Sequence, residues 1–499
     1  MDLFKLLSSS DKKKVKKGLK HLPSFKSEEL APLFEDSDLV KQHFVIDAAG
    51  RLHRGSGTYA ERYEVKVGER FAKAPHGVAV TLHWLISTHQ CTAIKHLKLK
   101  VKDGSLLPWN ELKNLDMLDG LSFEGELPSF KYLDSFKSLK HLDLINGWSD
   151  SGFTDLPAQL ESLVLADLEL HDLSEFSHLT HLKSLKLWGM AMNSLTGLSQ
   201  LESLQELELD AEGISDISEL SKAKGLKSLQ LPIGCMTDPN HMAPVLEALS
   251  ELTQLEQLSI EDLSCELSCT NQILVCLGGH SQLTKLTIPL DREPDNLSKL
   301  SKLPQLKHLA LEYELCKQVD IRCNSSALGQ LSNLESLSLG TNTIDQDLQN
   351  LNKLTSLKSL RLKQTSGVNR LGSFNLEQLE ELSLLWWPDT YEISEQEWTR
   401  LTQLKTFTLE GHLPDSSVLK HLTQLEELEL VDVDIDHLNM LTELKNLKCL
   451  RIASCHGLSD ISALKDLNLE QVILLDCTKL KNLKPYDVIA HVPIKYLCF

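Results

Sequence analysis

The chain has 499 residues, of which 41% are hydrophobic and 24% are charged, and its formal net charge is −19. This composition is too apolar for a disordered chain and too charged for a membrane protein. No apolar stretch approaches the roughly 18 residues that a membrane-spanning helix requires. The basic run near the N-terminus follows the apolar residues, which is the wrong order for a secretory signal. We therefore expect a cytoplasmic protein whose 11 scattered cysteines are reduced.

The charge is unevenly distributed along the chain. Residues 1–93 carry a net charge of +4 and the remaining residues carry −23. An acidic body repels nucleic acid and anionic lipid, which bind to clustered Lys and Arg side chains. The expected partner is a protein with a basic surface, and neither nucleic acid binding nor a membrane span is expected.

Residues 1–93 contain no repeat and are expected to form a small N-terminal cap or accessory segment. Residues 6–22 fit an amphipathic helix whose lysines lie on one face, either as a solvated face or as an anchor to an anionic surface. Residues 43–47 and 59–67 resemble strands and are separated by glycines. Such a segment could cover the apolar face of the first unit of a repeat array.

From about residue 94 to the end, the pattern Leu-x-x-Leu-x-Leu recurs about eighteen times. Most copies follow one another at intervals of 21 to 25 residues, and three intervals are near 28 or 29. Clear copies begin at Leu139, Leu182, Leu204, Leu226, Leu306, Leu334, Leu357, Leu379, Leu425 and Leu447. Weaker copies begin at Ile94, Leu118, Leu160, Leu255, Leu283, Leu404, Leu469 and Ile494.

The spacing within each copy predicts its local structure. Leu-x-Leu has a period of two, so both leucines face the same side of a short strand. Between strands the apolar spacing changes to three, as in Leu195, Leu198, Leu201 and Leu204, and this predicts a helical turn that forms the opposite wall of the core. A single copy cannot bury its own leucines, so the copies are expected to stack.

This pattern resembles the leucine-rich-repeat family over residues 94–499. The short repeat length and the segments at 214–217 and 458–461 are similar to the 22-residue class found in phosphatase-1 regulatory repeats and internalins. The resemblance implies an α/β solenoid in which a curved parallel sheet lines a concave face, with short helices or turns outside. It also implies that this face of the sheet is open to solvent.

One position departs from the family pattern. The family usually has Asn at repeat position nine, and Asn342 fits, but few other repeats do. Cys455 and Cys477 occupy this position in consecutive repeats. We interpret them as buried residues that tie neighbouring turns together, with a redox or metal role as the alternative.

A search for catalytic constellations finds no phosphate-binding loop, nucleophile elbow or zinc-protease motif, so no enzyme activity, cofactor or metal is expected. Cys265, Cys269 and Cys276 lie close together, but their spacing differs from that of a paired zinc site. His178 and His181 are interpreted as surface imidazoles at a helix-to-strand corner rather than as ligands.

The candidate binding residues follow from the strand geometry, because the third, fifth and seventh positions of each copy should point out of the concave face. Carboxylates on neighbouring strands should share a negative field, with tryptophans at the margin as anchors. The candidates for partner contact are Lys186, Trp188, Glu206, Glu208, Asp210, Glu261, Glu312, Arg361, Lys363, Glu381, Trp386, Trp387, Glu410, Glu427 and Glu429.

The favoured function is a non-enzymatic protein-interaction module, namely a scaffold, adaptor or regulatory subunit. The alternatives are a sensor or substrate receptor of an immune, effector or ubiquitin-ligase system, and an enzyme with an unrecognised activity in residues 1–93. The final strand-like segment, residues 494–499, suggests an edge that is covered by a partner, by a second copy or by the chain's own terminal side chains.

Overall fold

The structure is a computed structural model, and it supports description of most residues beyond 108. The described residues are 43–46, 52–55, 62–67, 96–103, 109–112, 118–127, 129–145, 152–212, 214, 217–232, 242–261, 270–289, 297–312, 322–323, 325–340, 343–344, 348–363, 377–387, 394–413, 415–482, 488–489, 491–492 and 494–498. The chain divides into two compact units, Met1–Ala248 (unit 1) and Leu249–Phe499 (unit 2).

Unit 1 is built on parallel strands joined by short helical turns. Its strands are β1 His43–Ile46, β2 Leu52–Gly55, β3 Arg62–Val67, β4 His96–Asp103, β5 Gly120–Glu126, β6 His141–Ile145, β7 Ser162–Ala166, β8 Ser184–Ala191, β9 Glu206–Glu212 and β10 Ser228–Pro232. The helix α1 spans Trp109–Leu112, and 3-10 turns span Phe130–Ser135, Phe153–Asp155, Ser174–Phe176, Leu198–Gln200 and Ser218–Lys222. Each strand from β3 to β10 pairs in parallel with the next, whereas β1 pairs antiparallel with β2 and parallel with β3.

Unit 2 repeats this arrangement. Its strands are β11 Gln257–Glu261, β12 Lys285–Pro289, β13 His308–Glu312, β14 Arg322–Cys323, β15 Ser336–Gly340, β16 Thr343–Ile344, β17 Ser359–Lys363, β18 Glu381–Trp387, β19 Thr406–Gly411, β20 Glu427–Val431, β21 Cys449–Ala453, β22 Gln471–Leu475 and β23 Ile494–Cys498. Apart from β14 and β16, which pair with each other, successive strands pair in parallel.

The helical segments of unit 2 are also short. The helices are α3 Thr270–Cys276, α4 Ser325–Leu328 and α5 Glu395–Trp398, and α2 spans Met242–Glu251 where the two units meet in sequence. The 3-10 turns span Leu277–Gly279, Leu297–Lys302, Leu348–Lys353, Ser416–His421, Asn439–Glu443, Ser462–Asp466 and Thr478–Asn482.

The register aligns the leucines of one repeat with those of the next, which explains why the repeats stack. Leu185 and Leu187 of β8 lie beside Leu207 and Leu209 of β9, and all four are at most 2% exposed. The helical-turn spacing is confirmed as well: the leucines at 195, 198, 201 and 204 are buried around the 3-10 turn at Leu198–Gln200. The protein thus has the leucine-rich-repeat fold that its sequence predicts.

The last copy of the repeat starts two residues earlier than the sequence pattern indicates. Because Val472 pairs with Lys495 and Leu474 pairs with Leu497, the residue equivalent to Leu469 is the buried Val492. The start at Ile494 is therefore wrong. The pattern search misplaced it because Lys495 stands where the other copies have an apolar residue.

Several expectations for the N-terminal segment lie outside the described residues, including the helix at 6–22. Strands are present in both regions that resembled strands, as β1 and β3, and the sequence reading did not identify β2 between them. The division expected at residue 93 stays a prediction, although β3 pairs in parallel with β4 across that position.

The cysteines at repeat position nine are structural residues. Cys455 and Cys477 are both fully buried. Their Sγ atoms lie 3.9 Å from the carbonyls of Leu430 and Ile452 in the preceding repeats, and 3.5 and 3.4 Å from the carbonyls of Ala453 and Leu475 in their own turns. Burial raises the pKa of the Cys455 thiol to about 12 and also raises the pKa of Cys477. Both thiols are therefore protonated donors in the turn, as predicted for ladder residues.

One buried polar residue interrupts the leucine wall. His280 follows the 3-10 turn at Leu277–Gly279 and stands three residues before Leu283, where other repeats have leucine. Its side chain is fully buried, and neither ring nitrogen has a hydrogen-bond partner among the described residues. Burial lowers the pKa of the imidazole. The nearby backbone of Leu277 and Leu249 raises the pKa by a smaller amount and does not reverse this effect. His280 is therefore neutral at pH 7.

Candidate functional site

Each strand presents its side chains alternately to the core and to the open face of the sheet. We define the open face as the side chains on either side of the buried leucine positions, which in β8 are Ser184, Lys186 and Trp188. These three side chains are half-buried, whereas Leu185 and Leu187 between them are fully buried. In β8 the third, fifth and seventh repeat positions are thus more exposed than the leucines, as expected, whereas in β7 Val164 and Ala166 at the fifth and seventh positions are buried.

Three of the candidate residues form one bonded cluster in unit 1. Lys186 Nζ lies 2.6 Å from Glu208 Oε2, and Trp188 Nε1 donates to Glu208 Oε1 at 2.8 Å. The register explains this geometry, because Lys186 stands directly opposite Glu208 and Trp188 stands opposite Asp210. Glu208 thus fixes both the ammonium group and the indole ring on the open face, and we call these three residues the Trp188 cluster.

Two carboxylates lie beside the Trp188 cluster and are not neutralised by it. Glu206 and Asp210 are exposed on β9, two residues to either side of Glu208. Neither side chain has a hydrogen bond or ion pair with any described residue. Because neighbouring strands lie about 4.8 Å apart, a molecule resting on Trp188 would also meet these carboxylates.

In unit 2 the candidate residues are spread over several strands. Arg361 is exposed and Lys363 is half-buried on β17, and Glu410 is half-buried at the end of β19. Glu381 on β18 and Glu427 on β20 are exposed and lie two strands apart, with Thr406 between them. These residues do not form a single cluster.

Glu429 has a partner that the sequence reading missed. Its Oε1 atom lies 2.8 Å from Arg451 Nε, and the two residues are directly opposite each other on β20 and β21. The signal was present in the sequence, since Arg451 follows Glu429 by one repeat of 22 residues. The candidate residues predicted from the sequence include Glu429 and Arg361 but not Arg451.

The remaining candidates can be placed only by their backbones. Glu261 ends β11, Glu312 ends β13 opposite Pro289, and Trp386 and Trp387 end β18. The pairing of β18 with β19 is irregular between Leu384 and Trp387. The side chains of these four candidates lie outside what the structure describes.

The second position of the repeats carries a ladder of opposite charges that the sequence reading also missed. Glu161 lies 2.7 Å from Lys140 and 2.6 Å from Lys183, which occupy the same position in the repeats before and after it. Hydrogen bonds from the two lysines hold the pKa of Glu161 at about 2. Similar pairs in unit 2 join Lys307 with Glu335 and Glu380 with Lys358 and Lys405. This ladder neutralises charge between repeats, so it is part of the scaffold.

The two histidines considered as ligands have different surroundings. His178 is half-buried, and its ring nitrogens lie 3.1 Å from the carbonyl of Glu175 and 2.9 Å from that of Leu156, whereas His181 is exposed. His178 therefore links one repeat to the preceding one. Of the three clustered cysteines, Cys276 is half-buried with its pKa raised by burial to about 11, and Cys265 and Cys269 lie outside the described residues.

Two kinds of feature are absent from the described part of the chain. It contains no group of three or more His, Cys, Asp or Glu side chains arranged to hold a metal ion. No helix within it is both long enough and apolar enough to cross a bilayer.

Comparison with family models gives no match, and neither does comparison with curated proteins. The chain is similar to a solved leucine-rich-repeat protein of Leptospira interrogans, at 18% identity over 82% of this chain and 91% of that one, with a TM-score of 0.33. It is also similar to an internalin of Listeria monocytogenes, at 20% identity over 72% and 88% of the two chains, with a TM-score of 0.34. A third similar structure is TLR13 in complex with ssRNA13, at 18% identity over 91% and 70%, with a TM-score of 0.42. At these identities and TM-scores, the fold assignment rests on the repeats and strand register of the chain itself.

Proposed function

We propose that the protein is a non-enzymatic binding module, acting as a scaffold, adaptor or regulatory subunit, and that a protein partner with a basic surface binds to the open face of unit 1. The observation that supports this proposal is the pair of exposed carboxylates, Glu206 and Asp210, beside a tryptophan whose indole is held by Glu208. Tryptophan is among the side chains that most often dominate protein interfaces.

The Trp188 cluster supports binding because it is ordered before a partner arrives. An indole that already donates to a carboxylate loses little conformational freedom when it is covered by a partner. The Lys186 ion pair occupies the second oxygen of Glu208, so this carboxylate acts as a support for the indole. The surface that contacts the partner then consists of Trp188 with Glu206 and Asp210.

Electrostatics favours a basic partner. The chain carries a net charge of −19, and the field of an acidic protein accelerates the approach of a positively charged molecule. Mutations of exposed interfacial charges mainly change the association rate and its dependence on salt. We therefore expect the association rate to fall as salt is raised.

The test is affinity capture from a lysate of the native cell with the full chain as bait. The variant carries Glu206→Lys and Asp210→Lys and retains Glu208, so that the Trp188 cluster remains intact. A matched control carries Glu202→Lys and Asp134→Lys, which introduce the same charge change at exposed residues outside the strands of unit 1. Circular dichroism and thermal melting establish that all three proteins are folded.

The proposal expects a protein that co-purifies with the wild type and the control and is lost from the face variant. Calorimetry with that purified partner should then give weaker binding to a Trp188→Ala variant. Retention of the same partner by the face variant, or its loss from the control as well, would exclude the open face of unit 1 as the binding site.

A further inference from the structure

A second surface, in unit 2, differs in character from the Trp188 cluster. Four apolar side chains, Val431, Ala453, Ile473 and Leu475, lie together on the open face of β20, β21 and β22. The register places Val431, Ala453 and Leu475 side by side, and Ile473 is two residues before Leu475 on the same strand. We call these four residues the apolar patch.

The apolar patch departs from the composition of the same face elsewhere in unit 2. The positions equivalent to Ile473 carry Ser338, Arg361, Ser383 and Thr408 on β15, β17, β18 and β19, and the small Ala310 on β13. Solubility favours polar residues at such positions, because a sheet face without a covering layer remains in water. Val431, Ile473 and Leu475 are half-buried, as Ser338, Ser383 and Thr408 are, so part of each side chain remains in contact with solvent. An apolar patch with a polar rim is typical of an interaction surface.

The rim of the apolar patch is acidic. Glu410 lies directly opposite Val431, and Asp432 and Asp476 are the exposed residues that follow Val431 and Leu475. Glu427 is exposed on β20, and Glu429 on the same strand is paired with Arg451 at 2.8 Å. Together the rim has five carboxylates and one guanidinium group, so its net charge is negative.

The size and charge of this surface select one kind of occupant. A stable dimer of folded proteins buries about 800 Å² on each partner, which is far more than three half-buried side chains and the buried Ala453 can offer. A second copy of the chain would also bring the same acidic rim and a net charge of −19 to the contact. A short segment with one or two large apolar side chains flanked by lysine or arginine meets both the patch and its rim.

We propose that the apolar patch is a docking site for a basic peptide segment of a partner protein, in which an apolar anchor lies on Val431, Ile473 and Leu475 and flanking cations meet the carboxylates of the rim. This site is in unit 2 and is separate from the surface proposed in unit 1, so either can fail without the other.

The test measures fluorescence anisotropy of labelled synthetic peptides with the full chain. The probes are a panel of short peptides, each with a central Trp, Phe or Leu anchor between lysines and arginines. Matched peptides have the anchor replaced by Ser or the flanking cations replaced by Glu. The patch variant is Ile473→Thr with Leu475→Thr, and the rim variant is Glu410→Gln with Glu427→Gln.

A matched control variant carries Ile145→Thr, which removes a half-buried apolar side chain from the open face of unit 1. Thermal melting establishes that each variant is folded. We expect the anchored basic peptides to bind the wild type and the control, and to bind the patch variant about tenfold more weakly. The rim variant should bind more weakly and with a smaller dependence on salt, and Glu206→Lys with Asp210→Lys should have no effect.

Three results would overturn the proposal. The first is that no peptide of the panel binds, and the second is that peptides lacking the anchor, or carrying Glu flanks, bind as well as the anchored basic ones. The third is that the wild type forms a dimer in sedimentation velocity and that this dimer is lost in the patch variant, which would make the patch a self-association surface.

Discussion

Glu208 is expected to contribute to stability through two separable interactions, one with Lys186 and one with Trp188. Glu208→Gln removes the ion pair but leaves a carbonyl oxygen that can accept from the indole, whereas Glu208→Ala removes both. Comparing the two variants therefore isolates the hydrogen bond of the tryptophan.

The magnitudes follow from exposure. The side chains of Lys186 and Glu208 are 36% and 23% exposed, so solvent screens the ion pair and its contribution should be at most about 0.5 kcal/mol. The hydrogen bond between Trp188 and a partly buried carboxylate should contribute about 1 kcal/mol. We expect Glu208→Gln to lower the free energy of unfolding by about 0.5 kcal/mol and Glu208→Ala to lower it by about 1.5 kcal/mol.

The assay is urea unfolding followed by circular dichroism, with the midpoints compared at equal slopes. The effect of Glu208→Gln should shrink at about 1 M salt, where charges are screened over about 3 Å, and the additional effect of the alanine should remain. Equal midpoints for the two variants would mean that the indole is not held by Glu208. The argument that Trp188 is ordered before binding would then be wrong.

Three further predictions concern the scaffold. Glu161→Gln should lower the free energy of unfolding at pH 7, and the difference from the wild type should disappear as the pH falls from about 4.5 to about 2. The reason is that the folded-state pKa of Glu161 is depressed to about 2, so its contribution is lost on protonation. Urea unfolding across this pH range measures the difference, and a difference that stays constant would contradict the depressed pKa. Gly197→Ala should destabilise the protein by more than about 2 kcal/mol, since Gly197 has φ +96° and a Cβ there would lie 2.5 Å from the backbone nitrogen of Ser174. Gly278→Ala, where a Cβ would have no atom within 4 Å, should be nearly neutral. Thermal melting compares the two variants, and equal melting temperatures would contradict the close approach of Gly197 to Ser174. His280→Leu should raise the free energy of unfolding by about 1 kcal/mol at pH 7 and by more below about pH 6.5. The effect grows at low pH because burial lowers the folded-state pKa of the imidazole, so that protonation favours unfolding. A variant that unfolds at a lower urea concentration at both pH values would show that a leucine side chain does not fit at position 280.

The parts of the fold that were predictable depend on local apolar periodicity. The alternation of Leu207 and Leu209 and the threefold spacing from Leu195 to Leu204 each specify which side of an element is buried, and stacking then has one consistent solution. At the last repeat this logic failed, because Lys495 occupies an apolar position and only the pairing with β22 reveals the register.

The candidate site was predictable in position but not in bonding. The repeat pattern places Lys186, Trp188 and Glu208 on one face, and this is where the structure has them. The sharing of Glu208 between an ammonium group and an indole depends on side-chain torsions, which the pattern does not specify. Similarly, the pairing of Glu429 with Arg451 follows from register, whereas the apolar patch becomes visible only when strands 22 residues apart in sequence are placed side by side.

The central claim is that the open face of unit 1 contacts a protein partner, and site-specific photocrosslinking tests it most directly. A photoreactive amino acid would be placed at Glu206 in one protein and at Glu202 in another. Glu202 lies in the turn that precedes β9, outside the open face. In a lysate of the native cell, irradiation should give a crosslinked protein from position 206 and none from position 202. Crosslinks from neither position, or the same crosslinks from both, would contradict the claim.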